Sequence, residues 1–356
     1  DTRLTSAVLA VVKNFPMQRG VVVGIAKAWV GLCGGILTQL YVGFVGKPDN
    51  SEHTLNFVAL LAGAALLAVL VPCIFVVIHK QGTAGARERG LTLRLGLCYV
   101  VVFAMCALVT VAALVGDGLA AGPRRAFAIA ILCVLLAPLL STIPWPLCGG
   151  GGGVRGALAA VAPLLQGLRE QLSAPDLPEL NTWEVLRTAD CWLLYFGVVS
   201  LSGGGMIVNA NVNQMCESLG YGRAAVAVSL FSVGNGLGRI LAGTLSELVH
   251  RSQCAPRTFS LLVSATLMTA AHFLFWLELG EGGLYTAVFL SALAFGATWP
   301  LTVVVTSELW GTVHHGANYL LFDGCTAALA TPLVGKYLAQ AVYTSHISGH
   351  CPADGN

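Results

Sequence analysis

Residues 21–45 read VVVGIAKAWVGLCGGILTQLYVGFV, with one charge, Lys27, in the whole stretch. About 20 apolar residues in a helix cross the ~30 Å hydrocarbon layer of a bilayer. This stretch therefore has the length and polarity of a membrane span. Working outward, comparable runs occupy 54–78, 95–116, 126–147, 189–215, 224–248, 258–277, 284–308 and 317–342. Residues 4–14 read as the tail of an earlier span. Charged residues make up 10% and hydrophobic residues 56% of the chain, against about 25% charged in a soluble domain. Mean hydropathy is +0.77. The fold class is an all-α, polytopic membrane helix bundle, and its solvent is the lipid bilayer.

The same composition narrows function. A net charge of +2 gives no electrostatic case for a nucleic-acid partner. The 42 glycines suit helices that pack closely through small residues. The 11 cysteines fall mostly inside apolar runs, without CxxC or zinc-type spacing, and read as small buried hydrophobes. No metal or cofactor is expected. No GxSxG, HExxH or phosphate-loop motif occurs, and no close carboxylate pair lies inside a span, so the chain does not read as an enzyme.

Loop lysines and arginines set orientation. Lys13, Arg19, Lys80, Arg87, Arg89, Arg94, Arg155, Arg169, Arg187, Arg251 and Arg257 fall on one side. Lys47, Arg124, Arg125 and Arg223 fall on the other. The first set is assigned to the cytoplasm, with Arg124-Arg125 as the local conflict. The stretch 148–188 opens on Gly149 to Gly153 and carries Pro163, Pro175 and Pro178. It reads as a cytoplasmic linker between helix groups at 1–147 and 189–356. Single cysteines introduced as Gly85→Cys and Ala160→Cys should escape an impermeant thiol reagent applied outside. Labelling of both would reverse the orientation.

Polar groups at membrane depth are costly and mark pathways. Lys27 reads either as a ligand for an anionic solute or as an anchor snorkelling to the interface. Gln39 lies three turns along roughly the same face. Asn209 and Asn211 follow the Gly203–Gly205 triplet and read as cavity or mouth residues. Asn213 and Gln214 read as mouth residues. Asn235 and Arg239 share a helix face at i and i+4. With Glu247 at the helix end, Arg239 suggests a charge-locked gate, or else an end anchor. Thr298, Trp299 and Thr302 share another face. Asp323 reads as a proton carrier or as half of a structural pair with Lys336. His272, alone on an apolar helix, reads as a satisfied core residue.

Four blocks in order carry a resemblance. The first is Asn14 to Gly20 (NFPMQRG), continuing through Lys27 to Tyr41. The second is Thr188 to Leu194 (TADCWLL) with Asn211, Gln214-Met215 and Ser218 to Tyr221. The third is Asn235 to Leu248, and the fourth is Trp299 with Ser307-Glu308-Leu309. Together they resemble the nodulin-like family of the major facilitator superfamily, whose plant members include nuclear-fusion-defective-like proteins. The resemblance implies a major-facilitator type bundle. It makes 21–45 and 54–78 the fifth and sixth helices, 95–116 and 126–147 an extra pair, and the last five runs the seventh to eleventh. It also implies a chain truncated at both ends, with His350-Cys351 just before a last helix, and so unable to transport alone. Ala210 stands where the family pattern suggests an acid, and Thr298 where it suggests His. The implied function is a secondary transporter of a small solute working by alternating access; the resemblance names no substrate, and the positive charges of Lys27 and Arg239 point to an organic anion. A membrane receptor or scaffold on the same fold is the alternative.

Overall fold

A computed structural model describes residues 18–44, 62–63, 91–116, 118–137, 179–221, 224–253 and 256–348. The helices are α1 (Arg19–Phe44), α2 (Leu91–Gly116), α3 (Ala121–Leu136), the single turn α4 (Thr182–Val185), α5 (Ala189–Ser218), α6 (Ala224–Gln253), α7 (Thr258–Trp276), α8 (Gly280–Leu309), α9 (His315–Leu329) and α10 (Ala339–Ser348). A π-helical segment, Ala330–Leu338, joins the last two. Six of these helices are long and apolar enough to cross a membrane among the described residues. The expected span 54–78, apart from residues 62–63, lies outside the described residues. So do residues 4–14 and the linker up to 178.

Two boundaries differ from expectation for local reasons. α3 begins at Ala121, not 126, and takes Arg124 and Arg125 into its first turns. Pro123 permits this, because a proline in the first helical turn removes an N–H that has no partner there anyway. The run expected at 317–342 spans 315–348 and changes from α to π and back.

The end of the expected linker is a docked structure and not a free tether. Asn181 caps α4 by accepting from the Trp183 and Glu184 amides, and Glu184 returns a bond to the Asn181 amide at 2.8 Å. This reciprocal pair is a capping box. The carboxylate of Glu179 accepts from the Val313 amide at 2.8 Å, and Asn318 donates to the Leu180 carbonyl at 2.9 Å. The segment is thereby fastened to the turn between α8 and α9. Thr188 then caps α5 through the Cys191 amide at 3.3 Å, which gives the TADCWLL block a physical role.

α6 is the central helix, between α1 and α8. A Cβ on Gly31 of α1 would sit 2.7 Å from the Gly236 amide nitrogen of α6. On the other side of α6, Gly238 lies against the Leu293 carbonyl of α8, and Gly296 of α8 against the Asn235 carbonyl. Here backbone touches backbone, which only small residues permit. α2 and α3 form a hairpin laid across α1 and α6. Met105, Val109, Ala128 and Ile131 pack on Leu32, Ile36 and Ile240. The Tyr99 and Thr244 hydroxyls, from α2 and α6, share a 2.5 Å hydrogen bond. A second core joins α5, α6, α7 and α8 through Leu201, Phe231, Met268 and Phe295. Outward-facing Val100, Phe196, Leu262 and Trp276 are exposed, as lipid-facing positions must be.

The Gly203–Gly205 triplet does not break its helix. α5 runs unbroken while Gly203 receives Val334 of the π segment and Gly205 receives the Phe295 ring. The triplet instead lets neighbouring side chains pack closely against the helix backbone.

Candidate functional site: a buried cation pair

Lys27 is 3% exposed and Arg239 is 5% exposed. Both side chains are enclosed by neighbouring helices. Lys27 projects from α1 and donates to the Tyr319 hydroxyl of α9 at 2.8 Å. That hydroxyl donates onward to Asp323 at 2.8 Å. The Lys27 ammonium lies 3.8 Å from the same carboxylate. Arg239 donates through Nε to Asn235 at 3.0 Å and through a terminal nitrogen to the Lys27 carbonyl at 3.1 Å. The second bond ties α6 to α1 at the level of the ammonium. Trp299 of α8 lies between the two cations, with its ring centroid 5.9 Å from the Lys27 nitrogen and 5.9 Å from the Arg239 guanidinium carbon. These distances are within cation–π range.

The chemistry of this cluster is lopsided. An ammonium has three N–H donors and a guanidinium five. Among the described residues, one acceptor meets the Lys27 ammonium and two meet Arg239. The buried Trp299 indole nitrogen has no acceptor among the described residues. A buried donor left without an acceptor costs about 1–3 kcal/mol. A group that brought several oxygens and a negative charge would satisfy these donors together.

The other candidates scatter. Thr298 is buried, and its hydroxyl is spent on the Ala294 carbonyl of its own helix at 3.1 Å. Gln39 is buried but donates to Ser229 at 3.2 Å, fastening α1 to α6 twelve residues beyond Lys27. Asn209 and Gln214 are exposed on α5, and Asn211 donates to the Ile207 carbonyl at 2.7 Å. Asp323 does not pair with Lys336, which is exposed in the π segment. Its partners come from α1 and its own preceding turn. His272 meets the Met268 carbonyl at 2.9 Å.

Arg239 also does not make the expected lock with Glu247, because its fork is held by Asn235 and the Lys27 carbonyl. The lock is built by a residue the sequence did not single out. Arg257, at the entrance to α7, contacts Glu247 at 2.8 Å and Glu308 at 2.5 Å. It joins the ends of α6 and α8 beside Arg19 of α1. The available signal was an arginine directly after Pro256, ten residues beyond Glu247. Arg257→Gln should lower stability by about 3–5 kcal/mol, the usual cost of removing one partner of a buried pair. Glu308→Gln should cost about 1 kcal/mol or less, because Glu308 is a third exposed and screened by solvent. Thermal unfolding in detergent checks both, and equal effects would contradict this ranking.

Comparison with known proteins bears on the family and the fold. The family model described as Nodulin-like matches residues 4–144. A second, the NFD4 C-terminal domain, matches residues 177–351. The chain belongs to the nodulin-like family of the major facilitator superfamily. This nodulin-like chain is an integral, multi-pass membrane protein with a major-facilitator type helix bundle. It is similar to an oxalate:formate antiporter of Oxalobacter formigenes, 27% identical over 185 residues, which are 51% of this chain and 43% of the relative. It is also similar to the MFS-type transporter paaT of Penicillium rubens, 28% identical over 138 residues, or 38% of this chain and 24% of the relative. The nodulin-like chain thus spans less than half the length of these curated relatives.

Proposed function

We propose that this nodulin-like protein is a secondary active transporter of a small organic anion, moved by alternating access between two helix groups. The helix groups are those at 1–147 and 189–356, with 148–188 between them. Lys27, Arg239 and Trp299 bind the anion, and Asn235, Tyr319 and Asp323 hold the two cations in place. Transport makes and breaks no covalent bond, and no catalytic group is assigned. The observation that carries this reading is that, among the described residues, two buried cations share one carboxylate beside a buried indole nitrogen with no acceptor. A charge at the bilayer centre costs about 2.5 kcal/mol or more, and this site holds two with one carboxylate. The similarity to an oxalate:formate antiporter points the same way.

The mechanism follows from where the cations sit. Arg239 and Lys27 belong to α6 and α1, which meet backbone to backbone. An anion bridging both strengthens that contact, and its release weakens it. The Arg257 cluster closes one end of the same helix set and must open for passage on that side. In proteoliposomes, the intact protein should show saturable counterflow of labelled small carboxylates and none of an uncharged sugar of similar size. Carboxylate binding without flux would favour a receptor instead.

A further inference from the structure

Among the described residues, the charges inside the bundle fail to cancel at one place. Arg19, Arg257, Glu247 and Glu308 gather at one helix end, two cations against two carboxylates. That cluster is neutral in itself. Deeper in the bundle, Lys27 and Arg239 face one carboxylate, Asp323. Arg239 lies eight residues before Glu247 on α6, about 12 Å along a helix, so the two clusters are separate. Among the described residues the inner cluster keeps one uncompensated positive charge on side chains that are buried, where such a charge is poorly tolerated.

Asp323 is placed to set that charge without filling the site. It meets the ammonium at 3.8 Å, beyond direct hydrogen bonding, with the Tyr319 hydroxyl acting as the bridge. The ammonium therefore keeps two donors for another acceptor. Resting on the transporter reading above, we infer that Asp323 is an internal counter-ion that fixes the charge of the transported solute. With Asp323 ionised, the site takes a monoanionic carboxylate, one negative charge for one uncompensated positive charge. A dianion would leave the site one negative charge in excess, so small dicarboxylates are disfavoured. Neighbouring aromatic residues do not alter this count. Tyr319 and Trp299 act as neutral donors, and among the described residues the His315 ring, whose centroid lies 6.1 Å from that of Tyr319, is a further titratable side chain near the bridge.

The test measures binding by thermal stabilisation of the intact purified protein at fixed pH 7.5. The probes are formate and lactate as monoanions, and oxalate and succinate as dianions. Wild type should be half-stabilised at concentrations at least about tenfold lower for monoanions, the least expected of an unpaired charge kept from water. Asp323→Asn should reverse that order, and Asp323→Glu should keep it. Lys27→Met should weaken both classes. Lys27→Met/Asp323→Asn, which removes both charges and leaves Arg239, should restore the monoanion preference at lower affinity. His315→Gln should leave the order unchanged. If the anions bind but Asp323→Asn and the double variant keep the wild-type order, the counter-ion role is overturned and the transporter reading stands. If neither class stabilises wild type or any variant, both readings fall.

Discussion

Lys27→Ala in the intact protein is expected to cut carboxylate uptake about tenfold or more, a factor that corresponds to about 1.4 kcal/mol of lost interaction, with yield and membrane insertion near wild type. In the proposed site the ammonium is one of two cations that meet the solute, and it joins α1 to α9 through its hydrogen bond to Tyr319. Its loss leaves Asp323 with Arg239 still nearby, so the carboxylate is not stranded. Ala is small enough to sit beside Gly24 and Gly31 without pushing α1 from α6. The fold should therefore persist while uptake fails. Unchanged uptake kinetics would remove Lys27 from the site.

A second large effect concerns folding. Gly296→Val should abolish a monodisperse, heat-stable product, whereas Gly197→Val should be close to silent. At Gly296, an added Cβ meets the Asn235 carbonyl of α6, and no side-chain rotamer can relieve a contact with backbone. Overpacking a core usually costs about 1–3 kcal/mol when side chains can shift. Here α6 and α8 must part instead. At Gly197 nothing lies within 4 Å of the added atom, and the position is exposed. Size-exclusion profiles and melting curves of the two variants decide the matter. Equal behaviour would mean that the close approach of α6 and α8 is not needed for stability.

The spans α1, α2 and α5 to α8 were legible because twenty apolar residues in a row have few alternatives to a membrane helix. The Asn235–Arg239 bond was legible as well, since i and i+4 share a face. The rest of the site depends on contacts that spacing does not encode. Lys27 and Tyr319 are separated by 292 positions, and a tyrosine in an apolar helix looks like any core aromatic. The sequence offered Lys336 as a partner for Asp323 because both lie in one run. The fold brought in a lysine from the opposite end of the chain. Arg257 was read only as a loop charge that sets orientation, because its partners lie on two other helices. The docked residues 179–188 looked like the end of a tether because their capping pattern is short and their anchor is a distant turn.

The π segment between α9 and α10 carries a consequence for how this stretch is mapped. Each residue of an α-helix turns about 100°, and a π turn holds more residues than an α turn, so the angular phase slips across 330–338. A wheel drawn through 315–348 as one ideal helix assigns the wrong azimuth to everything after Leu338. A tryptophan or cysteine scan of this stretch should yield two sinusoids, one fitting positions 315–329 and one fitting 339–348, offset from each other. The crossover should fall where Val334 seats on Gly203. A shortening of the chain by one residue inside 330–338 should pull the second sinusoid back toward the first, while Lys27, Tyr319 and Asp323 keep their positions.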